Sequence, residues 1–147
     1  MVREAVVKED YGLEGDAHAG LGSRQVSLLA IEEIEAAEHR HKAGDIDLRP
    51  GIFGENLTTE NVDLSRLRPG DKILIGDSVI LKVRQRGKDC PSPCRIGRQI
   101  GACIMPKSGL FASVERGGPI KAYDRIRIQS SAPTFLGLRL GFADFVR

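Results

Sequence analysis

The chain has 147 residues and a mass of 16.0 kDa, with 41% hydrophobic and 29% charged residues, which suits one folded domain and excludes a disordered segment. Its apolar runs, such as Val26 to Ile31 and Ile73 to Ile75, are far shorter than the ~18–20 residues that cross a bilayer, and the start MVREAVVKEDYG is charged where a secretory leader would be apolar. The net charge is +2 and aromatics are 5% with no Trp; with no repeat and no phosphate-binding glycine loop, this speaks against membrane, nucleotide and nucleic-acid partners and sets a cytoplasmic location as the expectation.

Residues 11–24, YGLEGDAHAGLGSR, are glycine-rich and read as turns. The next stretch, SLLAIEEIEAAEHRHKAG, reads as an amphipathic helix: Ser27 caps it, Leu28, Ile31 and Ile34 share a face, and Gly44 stops it. Arg24 and Gln25 then precede a helix start, where a cation and backbone amides can meet an anion. His39 and His41 are two apart, do not share a helix face, and read as surface residues. Residues 49–56, RPGIFGEN, form a second glycine-rich turn, and 62–69 hold a short helical turn. DKILIGDSVILKV is a hairpin about Gly76-Asp77, with Ile73 and Ile75 facing one way with Val79, Leu81 and Val83. LFASV and DRIRI are strands joined by the turn Gly117-Gly118-Pro119. Many short strands with a helix at one end predict a mainly β fold, a β-barrel with short helices packed at its ends.

Charge is unevenly spread. Residues 1–81 hold 9 basic and 16 acidic residues, net −7, whereas residues 82–107 hold 7 basic and 1 acidic, net +6. That basic block contains all three cysteines, spaced C-x3-C-x8-C as Cys90, Cys94 and Cys103. Pro91, Pro93, Gly87 and Gly97 predict an exposed, irregular loop lining a cleft. Cys90 and Cys94 lie among Arg86, Lys88, Arg95 and Arg98, a setting that favours low-pKa thiolates. Cys103, between Ala102 and Ile104, reads as a small buried hydrophobe. A zinc site remains open, with His18 as a distant fourth ligand. Asp16 and His18 stand among glycines, where a ligand can approach the backbone, or the Asp simply caps its turn. Glu55 and Asn56 offer a carboxylate and an amide that can match a pterin-like ring edge, or fix their own loop.

Four blocks in order, GLEGDAHAG with RQVSLLA (12–30), PGIFGENLTT (50–59), LRPGDKILIGDSVILKV (67–83) and the cysteine segment with GLFASVERGGPIK (109–121), resemble the MOSC domain. That domain occurs at the C-terminus of molybdenum-cofactor sulfurases and as small stand-alone bacterial proteins. The resemblance covers roughly residues 3–128. It implies a strand-rich barrel that binds or acts on the molybdenum cofactor (molybdopterin). In the family a cysteine in a Pro-Cys setting is the sulfur carrier or cofactor-contacting thiol. The match puts this role, including contact to the metal, on Cys94 within Pro93-Cys94-Arg95, with Cys90 as reserve or resolving thiol. Arg24, Asp16, His18, Glu55, Asn56, Arg95 and Arg86 are the candidate cofactor contacts.

No pyridoxal-phosphate machinery is visible, so sulfur would come from a separate cysteine desulfurase and pass to an apo-molybdoenzyme. Alternatives from the same resemblance are a non-catalytic cofactor-delivery module and a reductase of N-hydroxylated compounds. Three departures from the pattern stand out. Stand-alone members usually carry a leading strand before the part matching VREAVVKEDYG, the usual Gly-Asp before the last strand is Tyr123-Asp124, and the tail SSAPTFLGLRLGFADFVR (130–147) has no counterpart. Residues 1–128 are thus expected as the domain, with 129–147 as an apolar tail seeking a neighbouring surface.

Overall fold

A computed structural model describes residues 2–20, 22–41, 47–90, 92, 94–101, 103–132 and 142–145, the side chains of 41 and 142–145 excepted. In chain order the elements are β1 (Glu4–Lys8), β2 (Gly12–Leu13), β3 (Val26–Ala30), α1 (Ile31–His41), β4 (Leu57–Thr59) and a 3-10 turn (Leu64–Arg66). Then follow β5 (Lys72–Ile75), β6 (Val79–Arg86), α2 (Arg95–Ile100), α3 (Met105–Ser108), β7 (Leu110–Arg116), β8 (Gly118–Lys121), β9 (Arg125–Gln129) and β10 (Phe142–Phe145). Seven strands make one curled half-barrel sheet in the order β10-β9-β5-β6-β7-β3-β4, and β2-β1-β8 make a second. All pairs are antiparallel except β3 with β4.

The β5–β6 hairpin follows from strict alternation: Ile73 faces Leu81 and Ile75 faces Val79, all on the buried side. Gly76 opens its turn at φ 58°, a conformation that costs glycine little. The buried side meets Val7 and Ile120 of the smaller sheet, together with Val26, Leu28, Leu110, Ala112 and Val114, in the main apolar core.

Three expectations are corrected. First, VSLLA is a strand, not the first turns of a helix; all five of its residues are buried, because α1 and the 48–56 loop cover its outer face. Strand alternation is thereby erased, and Leu28 with Ile31 and Ile34 mimics helical spacing. The helix begins only at Ile31, and the expected stop at Gly44 lies outside the described residues. Second, Gly117-Gly118-Pro119 is not a turn joining LFASV to DRIRI: Gly118–Lys121 is β8, a strand on β1, reached from β7 through Gly117. Any Cβ on Gly117 would meet Val7 O, so the chain crosses between sheets there. Third, the cysteine segment is partly helical rather than irregular throughout. Of residues 129–147, Phe142–Phe145 pair with β9 and extend the main sheet, while Phe135, Leu136, Leu138 and Leu140 lie outside the described residues.

Candidate functional site

The cysteine segment is an excursion between two neighbouring strands. β6 and β7 pair as far as Arg86 with Leu110, and Gly87 N–H donates to Gly109 O at 2.6 Å to close its base. Gly87 has φ 64° and lies against Pro106 O, so a side chain there has neither the backbone conformation nor the room. Gly101, at φ 79°, ends α2 and turns the chain. Ile96, Ile100, Cys103, Ile104 and Met105 then fold onto Leu29, Ile34, Ala37, Leu48, Phe111, Ile52 and Phe53. The cysteine segment and the FGEN loop therefore share one apolar floor on the outer face of β3 and β7.

Cys94 and Cys90 are exposed, and Cys103 is half-buried. The Gly97 amide, and less so the nearby Cys103 thiol and the Ile96 amide, favour the Cys94 thiolate and hold its pKa below the usual value, against a smaller opposing effect of burial. The sequence pointed to the same thiol through neighbouring cations; the stabilising groups are instead backbone amides and a second thiol. Burial pushes the Cys103 thiol up, and the negative charges that Cys94 and Cys90 can carry raise it further. Cys103 is thus not merely a buried hydrophobe: it is half-buried, and its thiol and that of Cys94 affect each other's ionisation. Among the described residues, no three His, Cys, Asp or Glu side chains converge to hold a metal.

On the same outer face, Ser27 lies opposite Phe111 in the ladder. Ser27 N–H donates to Asn56 Oδ1 at 2.8 Å, and Asn56 N–H donates to Ser27 Oγ at 3.0 Å. Glu55 is 6% exposed, and its Oε1 accepts from Gly51 N–H and Thr58 Oγ. Its Oε2 is buried with no donor, an unmet acceptor of the kind that a ligand or water satisfies. Lys88 Nζ stands 5.9 Å over the Phe111 ring. Arg84 Nε donates to Ser113 Oγ at 2.7 Å, beside a polar cleft of about 350 Å³ lined by Glu9, Asp10, Lys82 and Glu115.

Other candidates lie elsewhere. Asp16 pairs with His18 at 3.8 Å in turns that hydrogen-bond to β1, β2 and Tyr11. Asp16 Oδ2 is also buried without a donor. Arg24 is exposed and precedes a strand, so the anticipated helix amides are not beside it. The Gln25 side chain is spent on Asp10, Gly22 O and Val114 N–H. Arg86 Nη2 donates to the carbonyls of Leu64, Ser65 and Leu67, tying β6 to the 3-10 turn. Arg95 is exposed at the first residue of α2. Ser27, Lys88, Arg84 and Ser113 were not singled out as site residues from the sequence. The available signal was a serine set among buried apolar residues in VSLLA and again in LFASV.

The family model for the MOSC domain matches residues 14–127. The chain belongs to the MOSC domain family. The match takes in the FGEN loop, the cysteine segment, every strand from β3 to β8 and the first part of β9. This MOSC domain is similar in structure to YuaD from Bacillus subtilis, with a TM-score of 0.72 and 20% identity over 89% of this chain and 87% of that one. It is also similar to YiiM from Escherichia coli, with a TM-score of 0.67 and 22% identity over 90% of this chain and 66% of that one. YiiM from Geobacillus stearothermophilus gives a TM-score of 0.57 and 20% identity, over 73% of this chain and 55% of that one. At these identities the likeness is one of fold. No curated protein matches the sequence. Among the described residues, no helix is long and apolar enough to cross a membrane.

Proposed function

We propose that this protein binds the molybdenum cofactor on the outer face of β3 and β7 and presents Cys94 to it as a thiolate, as sulfur carrier or as a contact to the metal. The observation that carries this reading is the exposed Cys94 thiol, held toward its anionic form, at the start of a segment that packs on the same apolar cluster as the loop leading to Glu55. The residues suit the group. A thiolate is a soft ligand for a transition metal. Glu55 Oε2 is an acceptor in want of a donor, and a pterin ring edge carries N–H donors. Lys88, Arg84 and Arg95, the last next to Cys94 in the chain, are cations for a phosphate. Bound there, the cofactor would supply a redox-active metal and its sulfur ligands.

This chain's own residues would then divide the work. Cys94 keeps negative charge on Sγ through the Gly97 and Ile96 amides, Glu55 orients the ring edge, and Asn56 holds its loop to Ser27. For sulfur transfer, a separate cysteine desulfurase would load Cys94 and an apo-molybdoenzyme would receive the sulfur. Three free cysteines suit the reducing cytoplasm as the place of action.

The test is the metal and pterin content of protein purified from a cofactor-competent host. Wild type should carry both, and Cys94→Ala should retain at least about tenfold less metal, the scale on which metal-site substitutions act. Binding should weaken with added salt. Wild type free of both metal and pterin overturns the reading. Full binding in a variant lacking all three cysteines, with no sulfur uptake on mass spectrometry after incubation with a desulfurase and cysteine, makes the protein a delivery module instead.

A further inference from the structure

Beyond Phe111 on β7, the ladder with β6 is interrupted twice. Arg84 is left unopposed between Val83 and Gln85, and Glu115 is left unopposed between Val114 and Arg116. Such bulges re-aim the side chains of a strand. Between them, Ser113 stands opposite Lys82. Ser113 is 7% exposed, and its Oγ accepts from Arg84 Nε, so its own O–H has no acceptor among the described residues. Both residues line the polar cleft of about 350 Å³, a volume at the small end of ligand sites.

The cleft has walls of opposite charge. On one side, Lys82 lies directly opposite Lys72 in the β5–β6 ladder, an unfavourable like-charge pair. Glu115 neutralises Lys72 at 2.9 Å, whereas Lys82 Nζ has no hydrogen-bond or ion-pair partner among the described residues. On the other side, the turn after β1 presents Glu9 and Asp10, and neither carboxylate is in an ion pair with a described residue. That turn is pinned. Asp10 N–H donates to Val114 O at 2.9 Å, and the buried Gln25 side chain donates to Asp10 Oδ1 at 3.0 Å while accepting from Val114 N–H. Asp10 is thereby held at φ 49°, a conformation that persists only where its surroundings enforce it.

We propose that this cleft binds a small zwitterion of amino-acid type. Its carboxylate meets Lys82 Nζ and the Ser113 O–H, and its ammonium meets Glu9 and the free Oδ2 of Asp10. A simple anion would set its charge beside two carboxylates, and a simple cation would set its charge beside Lys82; only a bipolar ligand satisfies both walls. Lys82, Glu9 and Asp10 have no part in the cofactor reading, so the site stands apart from it.

The test is isothermal titration of the full chain with the common L-amino acids, one at a time. Each is repeated as its N-acetyl derivative, which lacks the ammonium, and as its amide, which lacks the carboxylate. At least one amino acid should bind, and both of its derivatives should bind about tenfold or more weakly, the scale of one charge-assisted contact. In Lys82→Met, the free acid and its amide should bind alike. In a variant carrying Glu9→Gln and Asp10→Asn, the free amino acid and its N-acetyl form should bind alike. Thermal melting of each variant separates a lost site from a lost fold, and the two variants alter opposite walls. No binding of any amino acid at millimolar concentration, or derivatives that bind as well as their parent, overturns the inference. So does an equal loss of affinity for all three forms in both variants, which marks a purely structural role. Cys94→Ala should bind the amino acid as wild type does, and the readout needs neither metal nor pterin, so this inference and the cofactor reading fail separately.

Discussion

The two apolar clusters of this protein are built differently. The inner one lies between the half-barrel and the smaller sheet, and most of its members are alternate residues of hydrogen-bonded strands. The outer one joins α1, the 48–53 loop, α2, α3 and Phe111, segments with no ladder between them. Every exposed thiol and the unmet Glu55 acceptor belong to the outer assembly or its rim. Strand ladders pair many backbone groups at once. Segments docked by side chains alone leave loop amides and carboxylates free to face a ligand. Stability and chemistry are thus placed in different parts of one small molecule.

Substitutions can break or sharpen this contrast. The largest effect is expected from Leu81→Ala, in the inner cluster and fully buried. It should cost about 2–5 kcal/mol in urea unfolding, while Cys94 in the remaining folded protein is alkylated at the wild-type rate. Altered Cys94 reactivity would mean that the two clusters are coupled.

Gly87→Ala strikes the base of the outer excursion, through both its positive φ and the nearby Pro106 carbonyl. A cost of about 1–3 kcal/mol is expected. Its signature should be chemical: in wild type, Cys94 alkylation rises at lower pH than for an ordinary thiol and Cys103 alkylation at higher pH, and the variant should bring the two profiles together. Profiles that stay apart would show that the clamp is dispensable.

Asp71 pins the rim of the inner cluster. Burial pushes its carboxyl up, but hydrogen bonds from Ser131 N–H, Arg68 N–H and the Ser131 and Ser130 hydroxyls outweigh it, so its pKa lies below the usual carboxylate value. A group depressed in the folded state stabilises it above its unfolded pKa, near 4, and loses that contribution as pH falls through the folded value. Asp71→Asn should therefore lower stability by about 1–2 kcal/mol at pH 7, with the two proteins converging below pH ~3 in denaturant titrations. A constant gap across pH would assign the effect to shape rather than charge.

The smallest effect concerns Tyr123, which stands where the family pattern has Gly. Its φ is 70° and its side chain is 73% exposed, so it bears the left-handed conformation without packing in return. Tyr123→Gly should raise stability by about 1 kcal/mol on thermal melting, partly offset by the greater freedom of glycine in the unfolded chain.

Legibility in the sequence followed the range of the forces. The β5–β6 hairpin, the strands LFASV and DRIRI and the helical turn at 64–66 were readable because each rests on alternation or turn chemistry within a few residues. VSLLA was misread because burial on both faces leaves no period, and Gly118–Lys121 because its pairing partner is β1, more than a hundred residues earlier. That Cys94 is exposed was legible from its proline-flanked, basic surroundings. The donors that stabilise it were not, since they depend on where α2 begins and where Gly101 sends the chain.

The sequence by itself determined the strand-rich class, the family pattern and the basic cysteine segment, because composition, alternation and local motifs are properties of neighbouring residues. Only the tertiary structure decided that the cysteine segment packs on the same apolar cluster as the 48–53 loop, that Arg86 serves the 3-10 turn, and that Glu55 keeps an unmet oxygen. These are contacts between segments far apart in the chain. Their geometry is set by how the outer segments dock on Leu29 and Phe111, and no local propensity encodes that docking.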